Sequence, residues 1–183
     1  MSDFLDLLKE RRSVRNYEEK AIPQAVVNEP LEAVQWSPSW ANTQCWEVIA
    51  VDDPAIKAEL AETLAKGNPA KKNFVQAPVV FVLGAKLKSS GYYKEQATTK
   101  FGDWFLFDLG ICTQSLCLTA QANGLGTVIV GLFDQDAAKR VVNLPDGYDV
   151  VTMIPTGYPS KVPSAPKRRE LSEFVHKNKF AGV

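Results

Sequence analysis

The chain is poor in the residues that most hydrolytic and metal-dependent chemistry requires. It has one histidine, His176, and three cysteines, Cys45, Cys112 and Cys117, among 183 residues. A structural zinc site takes four Cys, His or carboxylate ligands, and no second Cys or His lies near His176. A Ser-His-Asp arrangement would hang on that histidine alone, and no G-x-S-x-G elbow is present. In "LSEFVHKNKF" its plainest reading is a residue at a helix C-terminus. The odd cysteine count fits no disulfide framework. Net charge is missing too: 21 basic residues balance 21 acidic ones. No global field attracts nucleic acid or an acidic membrane surface, so any anion site must be local. Long apolar runs are also absent. The opening "MSDFLDLLKERR" lacks a signal-peptide run, and no stretch approaches the roughly 20 apolar residues of a membrane span. The expectation is a cytoplasmic protein with neither nucleic acid nor membrane as partner. A P-loop is absent, and "GLGTVIVG" holds Ile129 where a dinucleotide fingerprint needs its third glycine, ahead of a strand rather than after one.

What is present suits a single domain over residues 1–183. Residues 3–11 read as an amphipathic helix capped by Ser2 or Asp3. A second helix starts near Pro23, with Pro30 expected to kink or divide it. "PSWANTQ" reads as a polar loop and "CWEVIAV" as a strand. "PAIKAELAETLAKG" is a helix stopped by Gly67, and "APVVFVLGA" a strand buried on both faces. Residues 98–122 form the longest helix. Its consecutive Trp104, Phe105, Leu106 and Phe107 point all round it, which suggests a dimer interface as well as a core. "GLGTVIVG" and "YDVVTMIPTGY" give two more strands around the helix "DQDAAKRVVNL", before a basic, proline-rich tail. Strands alternating with helices define an α/β or α+β class, a sheet covered on both faces.

Three polar islands interrupt this apolar chain. "RRSVR", residues 11–15, supplies planar guanidinium donors and a hydroxyl, the donor set of a phosphate site. "SPSWANTQ", residues 37–44, supplies the amides of Asn42 and Gln44, which suit a heterocycle edge of alternating N–H and C=O such as a flavin's pyrimidine. "KRR", Lys167–Arg169, can converge on the first island from the far end of the chain. The residues alone leave a plainer reading open for each: a helix end, an ordinary loop, a solvated basic patch.

The order of the motifs resembles the FMN-dependent nitroreductase family of NAD(P)H-dependent flavin oxidoreductases. The resemblance spans nearly the whole chain, through "RRSVRNY" (11–17), "SPSWANTQCWEVIAV" (37–51), "APVVFV", "DLGICTQSLCLTAQANGLGTVIVGLFD" (108–134) and "TGYPSKVPSAPKRRELSEFV" (156–175). It implies an α+β sandwich with a central mixed sheet flanked by helices. It also implies an obligate homodimer with tightly bound FMN at its interface. By the same resemblance Arg11, Arg12, Ser13 and Arg15 hold the ribityl phosphate and the pyrimidine end. Lys167, Arg168 and Arg169 close on the phosphate. Pro38, Ser39, Trp40, Asn42 and Gln44 reach the flavin from the partner subunit, and Val130, Gly131 and Leu132 lie beside its reactive N5. Residues near Asn68 and Lys72 are further candidates. No side chain is assigned as catalytic and no metal is called for. The flavin carries electrons from NAD(P)H to a nitroaromatic, quinone or related small acceptor in a shared pocket, by ping-pong turnover.

Two positions depart from the family pattern. Trp40 stands where members carry a small residue, and it either narrows the pocket, stacks on an aromatic ring or packs on the partner. Cys45 stands in place of proline and reads as a small buried residue. Rival functions are a flavin sensor or storage module, a dehalogenase or flavin-consuming enzyme of the same fold, and a non-flavin basic-patch dimer, which the neutral charge disfavours. Replacing Arg15 or Arg169 with alanine is expected to weaken FMN binding in a flavin titration without unfolding the chain; a helix-end cluster would leave that affinity unchanged.

Overall fold

The computed structural model describes residues 4–180. Its centre is strand β2, Val79–Lys86, buried along all but its last residue. Alternation along a strand sends successive side chains to opposite faces. Val79, Phe81, Leu83 and Ala85 enter one core, and Val80 and Val82 the other. On one side β2 pairs with β1, Trp46–Val51, and on the other with β6, Tyr148–Gly157, both antiparallel. A short strand β5, Gly126–Thr127, pairs antiparallel on β6 at the sheet edge. The order is β1-β2-β6-β5. The only parallel element described is a single bridge from Ser13 to Thr127, so the mixed character expected of the sheet reduces to that bridge. A two-stranded hairpin, β3 (Tyr92–Tyr93) with β4 (Gln96–Ala97), stands apart from the sheet.

Helices cover both faces. Helices α2, Gln24–Gln35, and α4, Phe105–Ala122, bring Val27, Val34, Leu109 and Leu116 onto the face of Phe81. Helices α3, Pro54–Thr63, and α5, Gln135–Val141, with the 3-10 turns at Lys71–Gln76, bring Leu60, Ala138 and Phe74 onto the face of Val80. Each fully buried Leu or Phe adds about 1.5–3 kcal/mol. Asp53 caps α3 and Asp134 caps α5, through side-chain bonds to the first free backbone N–H groups. Helix α1 covers Phe4–Glu10; the cap expected at Ser2 or Asp3 lies outside the described residues.

Several sequence expectations are corrected. Helix α4 begins at Phe105 rather than near Thr98. Gly102 has φ +70°, the Thr99 carbonyl accepts from Gly102 N at 3.1 Å, and Asp103 accepts from Lys88 N, so residues 98–104 are spent in turns. Helix α3 stops at Thr63, before Gly67, because buried Leu64 turns extended and bridges Phe133. Pro30 neither divides α2 nor is exposed; it is buried inside the continuous helix. "GLGTVIVG" gives only the two residues of β5, then an isolated bridge from Val130 to Met153. His176 follows a one-turn 3-10 helix, Leu171–Glu173, with its ring 4.5 Å from that of Phe180, so it ends no α-helix. Among the described residues no helix is long and apolar enough to cross a membrane.

The stretch 13–17 is stitched to the sheet edge. Val14 N donates to the Thr127 carbonyl at 2.8 Å, and Tyr17 bridges Pro159. A Cβ on Gly126 would sit 2.7 Å from Val14 Cβ and both its methyls, so this approach requires glycine. The buried Tyr17 hydroxyl lies 2.8 Å from the Val14 carbonyl and 2.9 Å from that of Pro155, sharing one proton between them. Burial pushes the Tyr17 hydroxyl above its ordinary value, and the Arg15 charge offsets part of the shift. A raised acid pKa gives stability that is whole below the unfolded value of about 10 and is lost as pH rises beyond it. Tyr17→Phe is expected to cost about 1–2 kcal/mol by urea unfolding near neutral pH, and to flatten the alkaline loss of stability seen in the wild type.

Candidate functional site

The first and third islands do meet. Arg11, Arg12, Ser13 and Arg15 line one cavity of about 360 Å³ together with Pro163, Ser164, Pro166 and Arg168 of the tail. The arginines divide their roles. Arg12 Nη1 donates to the Lys9 carbonyl at 2.5 Å and to that of Arg11 at 2.9 Å, so it closes the C-terminal end of α1. The plainer helix-end reading is therefore true of that one residue. Arg15 Nη1 donates to the Ser13 carbonyl at 3.2 Å, while its Nε is buried and has no protein partner. A buried guanidinium donor left unpaired is costly, and the residue that carries it is one of those lining the basic cavity. Arg169 donates instead to the Glu173 carbonyl, and its guanidinium lies 5.5 Å from the Phe174 ring centre. Lys167 is exposed.

Asn73, next to the candidate Lys72, braces this wall. Its Nδ2 donates to the Arg15 carbonyl at 3.1 Å and to Asn16 Oδ1 at 2.8 Å. Asn68 is a structural tie: buried, it donates to the Leu132 carbonyl at 2.9 Å and accepts from Ala70 N at 2.9 Å. The segment 68–73 thus joins the Arg15 stretch to residues 130–132. There Val130 exchanges backbone bonds with Met153 at 2.9 and 3.1 Å, and its carbonyl also accepts from Thr152 Oγ1. Gly131 and Leu132 are exposed, and among the described residues their N–H groups donate to no protein atom. A Cβ on Gly131 would meet nothing within 4 Å, and its φ lies outside the left-handed region. Neither packing nor backbone conformation in this chain demands glycine there.

The second island is built separately, against the start of α4. Residues Trp40–Asn42 form a 3-10 turn, and Ala41, Asn42 and Gln44 have φ of 45°, 55° and 47°. Non-glycine residues in that region cost roughly 1–2 kcal/mol each and persist where the surroundings over-determine them. Ser39 Oγ accepts from Gln44 N at 2.9 Å, and the carboxylate of buried Asp108 accepts from Trp40 N at 3.1 and 3.2 Å. Pro38 is exposed, and Thr43 Oγ1 is buried without a partner. No hydrogen bond joins this loop to the arginine stretch among the described residues. Trp40 stacks on Trp104 with ring centres 5.0 Å apart and planes tilted by 44°.

The donor set fits the pyrimidine and phosphate of a flavin mononucleotide on this chain's own terms: a basic wall drawn from both ends of the chain, and two backbone N–H groups without a protein acceptor beside a glycine with open space. The arrangement is a basic cavity at the edge of an antiparallel sheet in an α+β fold. A model of the "Nitroreductase family" matches residues 8–73 and 67–158, and the chain belongs to that family. It is 29% identical to an NADH dehydrogenase of Thermus thermophilus, over 90% of this chain and 91% of the relative. Its fold matches an FMN-dependent nitroreductase of Clostridium difficile R20291 with a TM-score of 0.80 at 23% identity, covering 97% of this chain and all of the other. It also matches an iodotyrosine deiodinase bound to FMN and 3-iodo-L-tyrosine, with a TM-score of 0.78 at 22% identity over 96% of this chain and 99% of the other.

The three cysteines are buried free thiols. Burial, with Asp108 adding to it, pushes Cys45 up to about 12; burial likewise raises Cys112 to about 12 and Cys117 above its ordinary value. Thiolate is the reactive form. Iodoacetamide at mildly alkaline pH is therefore expected to label no cysteine of the folded protein and all three after denaturation, as read by mass spectrometry.

Proposed function

We propose that this chain is an FMN-dependent oxidoreductase that takes electrons from NAD(P)H and delivers them to a nitroaromatic, quinone or related small acceptor. The observation that carries this reading is the single cavity lined by Arg11, Arg12, Ser13 and Arg15 from one end of the chain and Arg168 from the other. Arg11, Ser13 and Arg168 hold the phosphate in the cavity they line; Arg12 lines it from the end of α1, and Lys167 and Arg169 add positive charge from the tail. Arg15 faces the pyrimidine end, where a fixed positive charge favours the reduced, anionic form. The Gly131 and Leu132 N–H groups offer donors beside the ring. When bound, FMN supplies the electron-carrying chemistry that no side chain here provides. Donor and acceptor use one pocket in turn, so turnover is ping-pong.

Pro38, Ser39, Trp40, Asn42 and Gln44 complete the site from a second copy of the chain. Support for this homodimer comes from the apolar groove of about 1010 Å³ along α1, α2 and α4. Trp36, Leu106 and Phe107 are 80%, 61% and 60% exposed there, too much for a free surface. Gly110 lies in the same groove, where a Cβ would meet nothing in this chain. A mid-helix glycine costs about 0.5–1 kcal/mol against alanine, which close approach by a second backbone would offset. The extended tail exposes Val162, Leu171, Phe174 and Val175. A dehalogenase of the same fold is the second reading, favoured by the likeness to iodotyrosine deiodinase and by the aromatic wall at Trp40.

Purified protein is expected to be yellow or to take up added FMN, and to bleach with NADH or NADPH; a colourless protein that binds no FMN overturns the proposal. Halide release from a halotyrosine with no turnover of quinones selects the dehalogenase. Gly131→Ala is expected to keep or raise the melting temperature while weakening FMN binding about tenfold or more, because the open space is then filled by its own methyl.

A further inference from the structure

Asp108 is the most deeply buried charged residue among the described residues, 1% exposed, and nothing proposed above uses it as a chemical group. It sits in the first turn of α4, where the free N–H ends of the helix favour negative charge. Among the described residues it makes no ion pair. Its carboxylate is met by neutral donors: Ser90 Oγ at 2.6 Å, Trp40 N at 3.1 and 3.2 Å, and Cys45 Sγ at 3.7 Å. Hydrogen bonds to an ionised acceptor are about twice as strong as neutral ones. Their donors come from three separate parts of the chain: the loop 37–44, the residue just before β1, and the segment leading into the β3–β4 hairpin.

Both outer partners carry the same aromatic pair. Asp108 fixes Trp40 through its backbone N–H. Ser90 is fixed by its hydroxyl, and its carbonyl accepts from Trp104 N at 3.0 Å. Trp104 is then fitted against Gly91, where a Cβ would lie 2.6 Å from the indole Cδ1, and its Nε1 donates to Thr99 Oγ1 at 2.7 Å. One carboxylate thus holds both indoles. The pair continues to the 60% exposed Phe107, 5.2 Å from Trp104 between ring centres. The strained left-handed residues of the loop follow directly on Trp40.

We propose that Asp108 is a positioning residue that holds Trp40 and Trp104 together as a rigid aromatic wall on the acceptor side of the pocket, so that it sets acceptor affinity rather than flavin affinity. The proposal rests on the reading of loop 37–44 as part of an FMN site. The wall presents ring faces, which favour a flat aromatic acceptor over a compact aliphatic one. Removing the carboxylate frees Trp40 N and Ser90 Oγ together, while Asn42 N and Gln44 N keep their own bonds to the Ser39 carbonyl and hydroxyl.

Three variants test this, each measured without and with FMN. In the flavin-free protein, the far-ultraviolet circular-dichroism couplet of two closely stacked indoles reports the wall directly. Asp108→Ala is expected to abolish the couplet. With FMN bound, it should raise KM for a flat quinone about tenfold, while leaving FMN affinity, reduction by NAD(P)H and kcat within about threefold. Asp108→Asn keeps an acceptor for Trp40 N and a polar partner for the Ser90 hydroxyl, and should restore most of the couplet and of KM. Trp104→Leu, which leaves the carboxylate cluster in place, should reproduce the KM effect and so decides the matter if Asp108→Ala does not fold. A KM unchanged in Trp104→Leu overturns the proposal. So does an Asp108→Ala protein that keeps its couplet, or that loses FMN affinity as much as acceptor affinity. Wild-type protein that binds no FMN sinks the functional reading instead, and is recognised before any variant is compared.

Discussion

The arginine stretch reaches the sheet because Gly126 has no side chain. Val14 packs where a Cβ would stand, its N–H pairs with Thr127, and Tyr17 anchors the other end of the segment under Gly157 and Pro155. That single close approach turns a helix end into one wall of a cavity. Arg12 stays behind to close α1, while Arg15 is carried to the sheet edge, where Asn73 braces its carbonyl. The tail then crosses over the same segment, Ser160 N donating to the Asn16 carbonyl at 3.1 Å, and brings Arg168 to the cavity. The unpartnered Nε of Arg15 is the residual cost of this construction.

The loop over residues 37–44 follows the opposite logic. The loop 37–44 is conformationally expensive, with three non-glycine residues at positive φ, and it is held by one buried carboxylate and one serine hydroxyl. Strain of this kind survives only where packing over-determines it. Helix α4 does this from one face: its inner side builds the core with Leu109 and Leu116, its first turn holds the loop through Asp108, and its outer side leaves Leu106, Phe107 and Gly110 uncovered.

Much of the fold was legible because its signals are local. β2 alternates between two cores as its unbroken apolar run suggested, and Asp53 and Asp134 cap helices where turn formers precede apolar runs. The misjudged boundaries are those where long-range contacts override propensity. Leu64 leaves α3 to meet Phe133, and residues 98–104 turn to reach Lys88 and Ser90 rather than extend α4. Asp108 did leave a mark in the sequence: it is the only charge in the apolar helix "FLFDLGICTQSLCLTAQA", with no cation on the helix to pair with it. Such a residue must find neutral donors elsewhere. Asn73, within "AKKNF", carries no comparable signal, because its partners are 57 and 58 residues away.

The sequence by itself determined a sheet covered by helices on both faces, its buried central strand and the identity of the basic and amide islands, since these depend on composition and on periods of two and 3.6 residues; α+β rather than α/β came from the family resemblance. Only the tertiary structure decided which arginine is spare. Arg11, Arg12, Arg15, Arg168 and Arg169 are chemically alike on paper. Chain geometry gives one of them a helix carbonyl, another the Glu173 carbonyl and Phe174 ring, and leaves Arg15 with a buried donor unpaired. Hydrogen-bond satisfaction is a property of the assembled neighbourhood, and no residue type carries it alone.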